Sequence, residues 1–473
     1  MKKITGILII FLLFLCINTV SAENLNSTNS TYLEEDNSTN LLLDDSLNET
    51  LNHTHTQVSD IIKSPVKSSI LAPGGTFTDL QTILSTASSG DTISFTGNYV
   101  YNSGTDSSLQ SSGISINNLN LVFEGNGYKI DGLNLATLFS ISNSNIAFNN
   151  LNFLNFYKNG NGGVISSSNS NFEFFKVLGK NIHVTGSGGF IYSSTNSLIS
   201  FNFSNFVNVG SSHGGIVYFD SNIDSITIVN SSFVDIDVSG VGGVIYTKNI
   251  NYDAVFLDSN FTNIAARSTV GNGAATLLYA YGNVYGTIYT SGCNFTNIYA
   301  PYSSGGVFFV SSTANNIILK DSIFVNATTP EGGVVFVFGL NHITFINSYF
   351  KDIHSDARGG VVFVYGTGKN ADVINSTFIN IDGGNGGVFY MITNNGYFNI
   401  SNSSFENVKS GTSGGVVFVN SGSNSIILSN STFNNINVTY GGSVSCMENG
   451  GGDVSIINSS FSNLNSNGAL LSS

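Results

Sequence analysis

The residues best placed to do chemistry in this chain are Glu331, Asp352, His354, Asp356, Arg358, Asp382 and Lys409. Counting four residues on from Phe350, Phe378 and Phe405 puts His354, Asp382 and Lys409 at equivalent positions, and Glu331 and Arg358 both directly precede glycine pairs. Glycoside hydrolysis usually needs two convergent carboxyl groups, one with a raised pKa. A lyase needs a base, with a cation to steady the developing carbanion. The set could supply either. The same residues also read as opposite charges on neighbouring turns, forming surface ion pairs worth about 0–1 kcal/mol each. That second reading takes precedence, so no catalytic residue is assigned. Asp220, Asp224, Asp235 and Asp237 supply carboxylates without the spaced acidic loop of a calcium site, so the sequence calls for no metal and no cofactor.

Whatever positions these groups is periodic. Gly305-Gly306, Gly332-Gly333, Gly359-Gly360, Gly386-Gly387, Gly414-Gly415 and Gly441-Gly442 recur every 27 or 28 residues, in step with Phe324, Phe350, Phe378, Phe405, Phe433 and Phe461. Glycine pairs at Gly188, Gly214 and Gly242 extend the pattern toward the N-terminus. A fixed period of this size marks a stacked repeat architecture. Within a repeat, apolar and polar residues alternate, as at Ile343-Thr344-Phe345 and Val454-Ser455-Ile456, which is the strand period. The expected fold is therefore all-β: a right-handed, single-stranded parallel β-helix of about 27 residues and three short strands per turn. About thirteen turns starting near Asp91 would span roughly 60 Å at the spacing between paired strands.

Composition suits such stacking. Only 9% of residues are charged, with 52 Gly, 36 Phe, 20 Tyr and no Trp. Like charges repel at the strand spacing, whereas asparagines hydrogen-bond and rings pack along a stack. One Asn/Asp column lies three residues before each Phe (Asn230, Asp258, Asp321, Asn347, Asn375, Asn402, Asn430, Asn458). Another lies two after it (Asn208, Asp235, Asn263, Asn297, Asn326, Asp352, Asn380, Asn407, Asn435, Asn463). Both read as structural ladders at bends. The third residue after each glycine pair from Gly188-Gly189 to Gly414-Gly415 is aromatic: Tyr192, Tyr218, Tyr246, Phe309, Phe336, Phe363, Tyr390 and Phe418. The second and fourth are mostly aliphatic, and compact aliphatics fill a narrow coil evenly. The rings are thus expected outside, as an apolar binding ribbon that implies a partner.

The remaining segments bound the coil. Residues 1–22, with Lys2-Lys3, an apolar run and Val20-Ser21-Ala22, read as a signal peptide cleaved after Ala22, giving a secreted or cell-surface protein with no transmembrane anchor left. Residues 23–70 read as a disordered Asn/Ser/Thr-rich arm. Its Asn26, Asn29, Asn37, Asn48 and Asn52 head Asn-x-Ser/Thr triplets and are the expected glycosylation sites. Similar triplets at Asn230, Asn375, Asn402, Asn430 and Asn458 are expected to be committed to ladder neighbours and poorly accessible. Residues 71–473 form the β-helix, opened by a short capping helix through Phe77, Leu80, Ile83 and Leu84. Its C-terminal edge has no such cover, which leaves end-to-end association open. Cys293 and Cys446 lie about five turns apart, too far for a bridge. A net charge of −14 argues against nucleic acid and anionic membranes.

The repeat vocabulary, as in Asn402-Ser403-Ser404-Phe405-Glu406-Asn407 with Gly414-Gly415-Val416-Val417, resembles the adhesin-like, Asn/Thr-rich β-helix surface proteins of methanogenic archaea. It is also similar to the polymorphic outer-membrane protein repeats of certain intracellular bacteria. The start, Gly90-Asp91-Thr92-Ile93 then Gly125-Asn126-Gly127-Tyr128, fits the same group, and the resemblance covers roughly residues 74–470. It implies a secreted or cell-surface adhesin that makes multivalent contacts with glycans or proteins of other cells, or with its own envelope. The alternatives are a carbohydrate-active β-helix enzyme and a structural envelope component.

Overall fold

The computed structural model describes residues 67–195, 198–269, 273–302, 304–423 and 425–472. The expected signal peptide and nearly all of the arm, with Asn26, Asn29, Asn37, Asn48 and Asn52, lie outside the described residues. The described residues form an all-β parallel solenoid. Its third strands, one per turn, make a continuous 14-stranded sheet. The first and second strands make a 25-stranded sheet on the other side of the coil. A typical turn holds Ile191–Ser193, Ile199–Asn202 and Asn205–Ser211. From Phe308 to Ser401 the first two strands run together as single strands of 12 or 13 residues, as in Val335–Ile346, with register shifts where the bend would be. Three separate short strands are therefore the rule outside these four turns only.

The core follows from the alternation. Phe206, Phe233, Phe261, Phe295, Phe324, Phe350, Phe378, Phe405, Phe433 and Phe461 pair in register on successive turns. Their ring centroids lie 4.7–5.3 Å apart and nearly parallel. The column stops where Gly179 takes the Phe position, and Phe190 fills the gap edge-on between Phe153 and Phe206. Facing this column are the buried second-strand residues Ile343, Phe345, Phe398 and Ile400.

Each glycine pair turns the chain from the third strand into the next first strand. The first glycine is left-handed, with φ +60° at Gly332 and +56° at Gly359. The second has no room for a side chain: a Cβ on Gly360 would strike the carbonyl oxygen of Gly387 one turn on. The bend also turns the first residue after the pair inward, so Val334, Val361 and Val388 join Val335 and Val337 in the main core.

At the N-terminal end, strand Ser69–Ala72 pairs with Thr92–Phe95, and helix α1 (Phe77–Leu84) lies in the connection. Thr76 and Asp79 form a capping box at its start, and Phe77, Leu80 and Leu84 are buried against the core. Asp106 of the next turn clamps the same terminus, accepting from the backbone N–H groups of Phe77 and Thr78 at 3.1 and 3.0 Å.

Candidate functional site

The second and fourth residues after each glycine pair from Gly188-Gly189 to Gly414-Gly415 point inward, so the third stands on the outer face of the sheet. Tyr192, Tyr218, Tyr246, Tyr279, Phe309, Phe336, Phe363, Tyr390 and Phe418 therefore pair across nine consecutive turns. Tyr279 escapes the glycine-pair pattern because Ala275-Thr276 replaces the glycines there; the register alone reveals it. Centroids are 4.4–5.6 Å apart, and the rings stack nearly parallel except at Phe363, which meets both neighbours edge-on. Ser166 and Cys446 follow the column at its two ends.

The expectation of an exposed ribbon needs correction. Phe309, Phe336, Phe363, Tyr390 and Phe418 are buried and form a second apolar cluster; Tyr192, Tyr218 and Tyr246 are half-buried. Packing at this spacing covers each inner ring from both sides, and the bend before the glycine pair folds over their edges. Arg358 lies 5.5 Å from the Phe363 centroid and 5.7 Å from that of Tyr390, while His213 packs edge-on against Tyr218 and Tyr246. What remains open is a rim two residues further along the strand. Tyr281 and Tyr365, on separate turns, are 61% and 48% exposed, and half-buried Phe338 packs against Tyr365 with ring centroids 5.0 Å apart. The sequence signal for this rim was the next same-face position in the alternation, which the repeat pattern masks because its residue type varies.

Polar groups border the tyrosine end. The Tyr192 hydroxyl donates to Asp220 at 3.2 Å, and Asp220 also pairs with Lys248 at 3.3 Å. Burial first, then the Asp220 carboxylate, raises the Tyr192 pKa; burial likewise raises those of Tyr218, Tyr246 and Tyr279. These phenols stay neutral at physiological pH and can both donate and accept hydrogen bonds.

The charged set does come together on neighbouring turns. Register places His354 beside Asp382 and Asp382 beside Lys409, and Glu331 beside Arg358. Every carboxylate in it already has a partner. Arg358 lies 3.6 Å from Glu331, His354 2.9 Å from Asp356, and Lys409 3.1 Å from Asp382. Asp352 accepts from the Asn380 amide at 2.7 Å. All of these residues lie in the third strands with their side chains open to solvent to varying degrees, where such pairs contribute little. Asp220, Asp224, Asp235 and Asp237 are equally committed, to Lys248, Asn251, Asn263 and Arg267. Among the described residues no group of three or more His, Cys, Asp or Glu could hold a metal ion.

Two further arrangements were not legible in the sequence. On the outer face of the second strands, Asp372 Oδ2 accepts from the Tyr397 hydroxyl at 3.1 Å and lies 2.7 Å from His342 Nε2. Burial and Asp372 push the Tyr397 pKa up to about 12. These residues sit in polar slots of the alternation on different turns, so only the register joins them. The other is a buried serine column two residues before each Phe. Ser348, Ser376, Ser403 and Ser431 each accept the backbone N–H of the preceding turn's member and donate to their own i−2 carbonyl. Cys293 occupies one rung of it, and among the described residues Cys293 and Cys446 are unbridged.

The Asn columns divide. Both hold left-handed residues, from +47° at Asn230 to +58° at Asn326. The column after Phe is a true side-chain ladder, with Asn407 donating to Asn380 and Asn435 to Asn407 at 3.0 and 2.7 Å. In the column before Phe, Asn230, Asn375, Asn402, Asn430 and Asn458 are exposed, against the expectation of poor access. Their corners point side chains away from the sheet, and the following serine makes the inter-turn bonds instead. No protein-family model matches the chain, and no curated protein shows significant sequence similarity to it.

Proposed function

We propose that this chain is a non-catalytic, secreted or cell-surface binding protein, adhesin-like in the broad sense, that makes repeated weak contacts through its first-strand face. The observation that carries the reading is the aromatic column of nine turns, bordered by the exposed Tyr281 and Tyr365. A buried aromatic stack fixes the rim at rung spacing, so a repetitive surface or polymer meets evenly placed phenol and polar groups. Each contact is weak, and their number supplies avidity. Tyrosine suits this role because it combines ring area with a hydroxyl and few rotatable bonds. The partners on this reading are glycans or proteins of other cells, or of the protein's own envelope.

The test is attachment of the full chain to cells and to glycan arrays, run beside assays for polysaccharide cleavage. Tyr281→Ser combined with Tyr365→Ser should lower attachment at least about tenfold, the range expected for interface anchors, without product release by either protein. Undiminished attachment would sink the assignment of the rim. Cleavage lost in Glu331→Gln or Lys409→Met would establish the carbohydrate-active alternative.

A further inference from the structure

We infer that the corner before each serine rung is an N-linked glycosylation rib, in which Asn375, Asn402, Asn430 and Asn458 carry sugars on four consecutive turns, with Asn230 as an isolated fifth site. The inference rests on the extracellular reading above. Each of these residues begins an Asn-Ser-Ser/Thr triplet, is exposed, and has φ between +47° and +50°. Asn202, Asn260, Asn294, Asn326, Asn399 and Asn437 head the other repeat triplets, and two of these differ clearly. Asn326 donates its amide to Asn297 at 2.7 Å, and Asn399 donates to Asp372 at 3.1 Å, so a sugar there would displace a bond between turns. At the corners those bonds belong to the serine backbone and hydroxyl, as Ser376 shows in accepting from Ser348 and donating to Ile374. A sugar on the neighbouring asparagine leaves them intact. The adjoining surface also gains cover: Ile457, 48% exposed, directly precedes Asn458, and half-buried Ile374 precedes Asn375.

The donor class is a glycosyl diphosphate handled by a cellular transferase. The asparagine amide nitrogen attacks C1 of the sugar, the N–C1 bond forms, and the C1–O bond to phosphate breaks. The diphosphate leaves with its carrier, and the displaced amide proton passes to the transferase. The acceptor needs only an unburied side-chain amide.

Peptide mass spectrometry of the full chain recovered from the cells that export it tests the inference. Peptides holding Asn375, Asn402, Asn430 and Asn458 should carry glycan mass, and those holding Asn326 and Asn399 should not. Asn402→Asp, a residue that the same corner already holds as Asp258 and Asp321, should remove one glycan without moving the thermal midpoint. Bare corner asparagines, or equal sugar on Asn326 and Asn399, would overturn it. Loss of the rib with cell attachment intact would leave the binding proposal standing, whereas a glycosylated protein that binds nothing would remove the binding proposal alone.

Discussion

At the scale of single residues, stacking turns small chemical choices into column properties. The ladder after Phe runs as Asp131, Asn155, Asn181, Asn208, then restarts at Asp235 and again at Asp352. Each Asn donates to the previous rung, but a carboxylate has no proton to donate, so Asp235 cannot donate to Asn208. Asp235→Asn should join the two runs while still accepting from Asn263, and Asn fits the local φ of +56°. A gain of about 0.5–1 kcal/mol in chemical unfolding is expected for an exposed hydrogen bond; a loss would mean the break serves packing. Thr290 presents the opposite case. It sits in register between Phe256 and Leu319, fully buried, with its hydroxyl unpartnered. Thr290→Val keeps the shape and removes the stranded polar group, so stability should rise by about 1–2 kcal/mol.

At the scale of elements, helix α1 depends on a carboxylate from outside itself. Asp106 is fully buried and accepts from the Thr78 hydroxyl at 2.7 Å and from the backbone of Asn102, Thr78 and Phe77. Burial alone would raise its pKa, but these bonds outweigh burial and hold it below the usual value. Because the folded pKa is depressed, its stabilisation is complete above the unfolded value of about 3.9 and fades as pH falls through the folded one. Acid below about pH 4 should therefore loosen the α1 end first. Hydrogen exchange should show amides of Phe77–Leu84 losing protection while those of Phe350–Ile353 keep it. Simultaneous loss at both places would show one cooperative unit instead. The glycine-pair bends need no such support, since their glycines are fixed by φ and by contact with the next turn.

On the whole molecule, burial separates the aromatic column from its rim. Tyr390→Ser would open a cavity in the second cluster beneath Arg358 and should cost about 3–5 kcal/mol. Tyr365→Ser, at a residue 48% exposed, should change stability by less than about 0.5 kcal/mol. Chemical denaturation of the two variants decides whether column and rim are distinct. Similar losses in both would mean that the rim is part of the folded interior and that binding must be sought elsewhere.

The period of glycine pairs and phenylalanines, with strand alternation between them, was sufficient by itself to determine a parallel solenoid of about 27 residues per turn. In a stacked coil every turn meets only its neighbours, so local spacing becomes three-dimensional register directly. The inward Phe column and the pairing of Glu331 with Arg358 and of Asp382 with Lys409 were legible for that reason. Depth was not. Alternation says that Phe363 and Val364 lie on opposite faces, but the folded bend and Arg358 decide that both are buried. Nor does spacing say whether Asn or the following Ser spans two turns. The left-handed corner settles that by turning the Asn402 side chain outward and Ser403 inward, and it is this geometry that leaves the corner asparagines open.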